Sequence, residues 1–209
     1  MTTYPSLLAP YAFDAVVLAD GDFPTHEVPL SLLRKAPFVV CCDGASSHYP
    51  QAQAIVGDGD SVPEQLRPRL HRVEEQEDND LTKATRFCLS QGFKTIVYLG
   101  ATGRREDHTI GNISLLVRYM QDFGLHPLMA TDYGWFVPAE GEARFASFPG
   151  QQVSIFNFGS TRLSATHLAY PCYAYHSWWQ GTLNESTAGH FQIMADGAYL
   201  VYRTYQAKG

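Results

Sequence analysis

The chain has 209 residues, 45% hydrophobic and 17% charged, a balance that supports one large or two small globular domains and excludes a disordered chain. Fifteen Lys and Arg against 21 Asp and Glu give a net charge of −6, which argues against a nucleic acid or an anionic membrane surface as the main partner. No apolar run approaches the roughly 18 residues of a membrane span, and the N-terminus lacks the basic start and apolar core of a secretion signal.

In chain order, Ala12–Ala19 reads as a first apolar strand ending in Asp20-Gly21-Asp22. Val28–Lys35 reads as a helix stopped by Pro37, and Phe38–Cys42 as a second strand ending in Asp43-Gly44. Ala45–Tyr49 starts a short helix, Ala54–Val56 is a third strand, and Pro63–Leu70 is a helix with Pro in its first turn. Leu81–Gln91 is a helix, Lys94–Leu99 a fourth strand before Gly100-Ala101-Thr102-Gly103, and Asp107–Gln121 a long amphipathic helix. Continuous apolar strands alternating with helices predict an α/β N-terminal domain with a mostly parallel sheet and flanking helices, spanning residues 1–132. From 133 to 209 the helical period vanishes. The runs Trp135–Val137, Arg144–Phe148, Val153–Phe158, Phe191–Met194 and Tyr199–Tyr202 then predict a smaller all-β sandwich domain. Cys41, Cys42, Cys88 and Cys172 form no Cys-x-x-Cys pair, so free buried thiols in a reducing cytoplasm are expected.

Ligands of such sheets bind beyond the carboxyl ends of the strands, where this sequence repeatedly places Gly beside a carboxylate. Asp58 and Asp60, two residues apart on a Gly-rich loop, repel each other unless a divalent cation joins them. Asp and Gly are also ordinary turn formers, but several strands ending in the same way favour the metal reading. Glu77-Asp78-Asn79-Asp80 opens a helix, where carboxylates suit the positive end of the dipole, and Lys83 follows. The turn Gly100–His108 offers backbone N–H groups and Arg side chains to phosphate oxygens without being a P-loop. In the β region, Tyr170 and the Trp178-Trp179 pair are either core or a platform for an aromatic cation.

The ordered set Asp43-Gly44-Ala45, Gly57-Asp58-Gly59-Asp60-Ser61, Asp80-Leu81-Thr82-Lys83 and Gly100-Ala101-Thr102-Gly103-Arg104-Arg105-Glu106-Asp107-His108 resembles the thiamine pyrophosphokinase family. The motifs span Asp43 to Asn112, and the α/β-then-β layout extends the resemblance to the whole chain. It implies pyrophosphoryl transfer from ATP to the hydroxyethyl oxygen of thiamine, with Mg²⁺, in a homodimer whose active site lies at the subunit interface. It implies catalytic roles for Asp58, Asp60, Asp80, Lys83 and Asp107, with metal at Asp58, Asp60 and Asp80. Contacts to substrates fall to Asp43, Thr102, Gly103, Arg105, His108, Tyr170 and Asn184. Either Asp80 or Asp107 takes the acceptor proton. Arg104 stands where a second glycine is usual, and adds a phosphate contact or points to solvent. Leu183 stands where serine is usual in the Gly181–Glu185 stretch. The competing readings are another Mg²⁺-dependent phosphoryl- or nucleotidyl-transfer enzyme, and a nucleotide-sensing module without turnover.

Overall fold

The computed structural model describes residues 1–75 and 77–207. The chain divides into two compact units, residues 12–132 and residues 1–11 with 133–209. A single cut at residue 132 puts the first eleven residues in the wrong unit. Their strand β1 (Thr2–Tyr4) pairs with a strand more than 130 residues later, a partner no local pattern announces.

In the unit of residues 12–132 the elements run β2 (Ala15–Leu18), α1 (Glu27–Lys35), β3 (Val39–Cys42), β4 (Ala54–Gly57), β5 (Leu70–Arg72), α2 (Asp80–Ser90), β6 (Thr95–Leu99), α3 (Glu106–Phe123) and β7 (His126–Ala130). The strands lie in the order β7-β6-β2-β3-β4-β5, and each of the neighbouring pairs is parallel. All residues of β2, β3 and β4 are buried, which is why these strands read as unbroken apolar runs. Removing Ile55, 1% exposed in the middle of β4, down to Ala would cost about 2–5 kcal/mol.

Two short helices of the sequence reading are 3₁₀ turns. Asp43–Ser47 is one of them; the other is Glu64–Arg69, where Pro68 removes an N–H that an α-helix would use. The three-residue strand β5 and the Pro-containing β7 carry too little pattern to be read locally.

Helix α2 starts on Asn79, whose side chain accepts from the Thr82 N–H at 3.0 Å, and α3 stops at Gly124 in the left-handed region. Inside the unit, Thr82 and Thr85 meet the hydroxyls of Tyr119 and Tyr98 at 2.7 and 2.9 Å, so these buried polar groups are satisfied.

The second unit is a two-sheet β structure. It adds β8 (Gly134–Glu140), β9 (Ala143–Ala146), β10 (Gln151–Phe158), β11 (Leu163–Thr166), β12 (Asn184–Glu185), β13 (His190–Ala195) and β14 (Ala198–Ala207) to β1. One sheet is β1-β9-β13-β11 and the other strand set is β12-β10-β14-β8. Phe145, Phe191 and Ile193 from the first share a core with Val153, Ile155, Tyr199 and Val201 from the second. Buried Arg203 lies over the rings of Trp135 and Phe145 at 4.7 and 5.4 Å. It donates to the carbonyls of Ala146 and Pro5, which ties the N-terminal segment into this unit.

Candidate active site

In the parallel sheet, strand order runs away from β2 in both directions, through β3 on one side and β6 on the other. That reversal opens a crevice at the carboxyl ends. The loops after β2, β3, β4 and β6 and the start of α2 line one cleft of about 720 Å³ there. Its walls include Asp20, Asp43, Asp58, Asp60, Asp80 and Lys83, with Gly103, Arg105 and His108 across from them in sequence.

Asp43 and Asp58 form the innermost acidic pair. Gly57 makes their approach possible, since a Cβ there would stand 2.7 Å from the Cβ of Asp43. Asp43 is only 6% exposed; its Oδ2 accepts from the Ser61 N–H at 3.2 Å, and its buried Oδ1 has no donor. Lost hydration pushes the Asp43 carboxyl above the usual range, against the Ser61 hydrogen bond, and the neighbouring Asp58 and Asp80 push it further. Asp58 moves the other way. The Asp60 N–H, 3.1 Å from Asp58 Oδ1, holds that carboxyl below the usual range, and a hydrogen bond with Asp43 adds to this.

This donor set fits a hard divalent cation. The oxygens of Asp43 and Asp58 with those of Asp60 and Asp80 nearby are carboxylate only, and one of them is a buried acceptor without a partner. Among the described residues no three His, Cys, Asp or Glu converge as a complete metal-binding group. An ion such as Mg²⁺ needs only one or two carboxylates when phosphates and water fill its other positions.

The cations are each held by a carboxylate. Lys83, 5% exposed, lies 3.6 Å from Asp80 one helical turn back. Arg105 grips Asp107 through Nε and Nη2 at 3.1 and 2.6 Å, and Arg104 Nη1 reaches Asp20 at 2.8 Å. The Arg105 guanidinium holds the Asp107 carboxyl below the usual range. Asn79 donates to Asn112, and Asn112 donates to the Ala101 carbonyl, so the start of α2 is fastened through α3 to the loop after β6. Gly103 has φ 80°, and a Cβ there would collide with Asp22 Oδ2 at 2.0 Å.

Of the sequence-expected residues, the cleft gathers Asp43, Asp58, Asp60, Asp80, Lys83, Gly103, Arg105 and His108. Asp107 and Thr102 are not among its lining residues: Asp107 is turned to Arg105, and the Thr102 carbonyl accepts from Asp22 N–H at 2.9 Å. Tyr170 and Asn184 belong to the other unit. Tyr170 is 63% exposed and Trp179 75%, so neither is core. Trp178 packs on Phe158 at 5.3 Å. Asn184 is buried, and its amide brackets the Tyr170 backbone, accepting from its N–H at 3.1 Å and donating to its carbonyl at 3.0 Å. That makes Asn184 a support for Tyr170 instead of an open contact. Asp20, expected as a carboxylate at a strand end, joins the site, and so do Asn79 and Asn112, to which the sequence assigned no site role. A strand ending in Asp-Gly-Asp was the available signal for Asp20, whereas Asn112 is visible only once α3 is folded.

The model of the thiamin pyrophosphokinase catalytic domain matches residues 30–125, and that of the thiamin pyrophosphokinase substrate-binding domain matches residues 134–202. Thiamin pyrophosphokinase 1 of Caenorhabditis elegans is 31% identical over 106 residues, 43% of this chain and 44% of that protein, so the match spans less than half of this curated relative. Among solved structures, thiamin pyrophosphokinase from Candida albicans superposes with a TM-score of 0.77 at 15% identity, over 98% of this chain and 93% of that one. The yeast thiamin pyrophosphokinase gives 0.76 at 12% identity, over 97% and 90%. The Bacillus subtilis thiamine pyrophosphokinase gives 0.73 at 19%, over 92% and 99%. At these identities the structures speak for the fold alone. The two family models, in chain order and one on each unit, show that the chain belongs to the thiamin pyrophosphokinase family.

Proposed function

We propose that this chain transfers a pyrophosphoryl group from ATP to the hydroxyethyl oxygen of thiamine, giving thiamine diphosphate and AMP. The observation that carries the reading is the single cleft in which Asp43, Asp58, Asp60 and Asp80 meet Lys83 and Arg105 at the strand ends. Such a cleft repels a polyphosphate by itself and accepts one together with a divalent cation.

One or two of the carboxylates of Asp43, Asp58 and Asp60 would hold Mg²⁺ together with phosphate oxygens and water, and the ion when bound neutralises phosphate charge. The protein's own part is to position and to screen. Lys83, fixed by burial and by Asp80, presents its ammonium to the phosphate oxygens, and the turn at Gly100–Gly103 presents backbone N–H groups. The acceptor hydroxyl attacks the β-phosphorus in line as AMP departs, and Asp80 takes the hydroxyl proton. Asp80 suits that task better than Asp107, whose carboxylate is bound bidentately by Arg105 and is a weaker base for it.

On the acceptor side, exposed Tyr170, Trp178 and Trp179 offer ring faces to an aromatic cation. The resemblance extends this to a homodimer with the active site shared between subunits. The free, buried Cys41, Cys42 and Cys88 support a cytoplasmic setting, and among the described residues no helix is long and apolar enough to cross a membrane.

The test is product analysis: purified protein with ATP, Mg²⁺ and thiamine should yield thiamine diphosphate and AMP in equal amounts. ADP or inorganic phosphate in their place would assign the cleft to a different phosphoryl-transfer reaction.

A further inference from the structure

Among the described residues, Arg104 is one of three non-glycine residues in the left-handed backbone region, at φ 55°, a conformation that disfavours an L side chain. It lies in the turn between β6 and α3, where the flanking Gly100 and Gly103 also have positive φ. A glycine at 104 would suit the backbone better, so the side chain must do something that offsets the strain.

Its position says what. Arg104 lines the cleft, and its guanidinium meets Asp20 Oδ2 through Nη1 alone, one nitrogen of a five-donor fork. The pair is about half exposed, 48% on the Arg side and 41% on the Asp side, so the contact is weak and exchanges partners at little cost. His48 Nε2 stands 3.7 Å from the other Asp20 oxygen.

The other two cleft cations are engaged differently. Lys83 is buried against Asp80, and Arg105 is bidentate to Asp107. Seven carboxylates face these three cations around the cleft, so a polyanion entering it finds few positive groups ready to turn toward it. Arg104 meets its carboxylate through one nitrogen where Arg105 uses two, which leaves more of its fork for a phosphate, and phosphate accepts a guanidinium bidentately.

We infer that Arg104 is a phosphate-binding residue of the donor nucleotide, held on Asp20 in the free protein and transferred to the polyphosphate when it enters the cleft. The inference rests on the nucleotide reading above and adds a residue, together with the anion that competes for it.

Calorimetric titration with Mg²⁺–ATP, and separately with Mg²⁺ and inorganic tripolyphosphate, tests it without acceptor or turnover. R104G should raise Kd for both probes about 10- to 100-fold, the loss expected for a charge-assisted contact. The melting temperature of free R104G should be unchanged or higher, because glycine is at ease at this φ. R104Q keeps the stem and drops the charge, and should give the same loss should R104G fold poorly. D20N removes the competing anion and should tighten both probes by up to about fivefold.

Wild-type affinity in both Arg104 variants would overturn the inference while leaving the nucleotide reading standing. Looser binding in D20N would overturn the exchange with Asp20. A wild-type protein that binds neither probe would overturn the nucleotide reading and this inference together.

Discussion

Asp43→Asn separates the folding cost of the acidic pair from its use. In the free protein Asp43 Oδ1 is a buried acceptor with no donor, beside Asp58. An amide keeps the shape: its oxygen can still accept from Ser61 N–H, and its N–H₂ replaces Oδ1 as a donor to Asp58. Relieving one unsatisfied buried acceptor is worth about 1–3 kcal/mol. At about 2–4 °C per kcal/mol for a chain of this size, D43N should melt some degrees above the wild type in EDTA at pH 7.

The pH dependence has a definite sign. Burial raises the folded Asp43 pKa, so the wild type is penalised above that value and recovers as pH falls through it. The D43N advantage should therefore be greatest near neutrality and vanish below about pH 4, the ordinary carboxyl range. Differential scanning calorimetry in EDTA between pH 4 and 8 measures this, with Mg²⁺–ATP added in parallel. Ligand should raise the wild-type melting point more than the variant's, and turnover should fall at least ~10²-fold, as when a preorganised charge is deleted. A variant less stable than wild type at pH 7 in EDTA would show that Asp43 is a structural carboxylate and refute the reasoning.

Asp60→Asn should lower turnover by at least ~10²-fold while free-protein stability stays level or rises, read by steady-state rates beside thermal melts. Asp14 Oδ2 accepts from the N–H groups of Thr95 and Lys94 at 2.8 and 2.7 Å, and these bonds, Thr95 foremost, hold its carboxyl below the usual range. Asp14→Asn should therefore lose about 1 kcal/mol at pH 7, a difference present above pH ~4 and fading as acid protonates the wild-type carboxylate, measured by urea denaturation. Tyr170→Ala should raise the KM for thiamine several-fold and leave the ATP affinity and melting point unchanged, since the ring is exposed.

What was legible from sequence followed from locality. The strands of the parallel sheet announce themselves because both faces are covered, so Val39–Cys42 has no polar residue to break the run. The acidic loops after β2, β3 and β4 follow directly, because each stands next to such a strand. The turn chemistry of Asn79 and Gly124 is local too. Features that depend on distant pairing stayed hidden. Residues 1–11 join the β unit through a parallel partner at Ala143–Phe145, and Arg203 reads as an ordinary polar strand position until Trp135 and Phe145 enclose it. The same holds within the site. Asp20 meets Arg104 from 84 positions away, whereas Asp107 turns to Arg105 only two positions off, a local pairing that the motif alone does not orient. Spacing shows which residues share a loop, but the direction a carboxylate faces is decided by the cation that folding places beside it.

The most direct test of the account follows the phosphorus atoms. ATP labelled separately at the α, β and γ positions is incubated with the protein, Mg²⁺ and thiamine, and the products are separated. Pyrophosphoryl transfer puts both the β and the γ label in thiamine diphosphate and leaves the α label in AMP. A γ label that appears alone on the acceptor or as inorganic phosphate, with β remaining in ADP, would contradict the account.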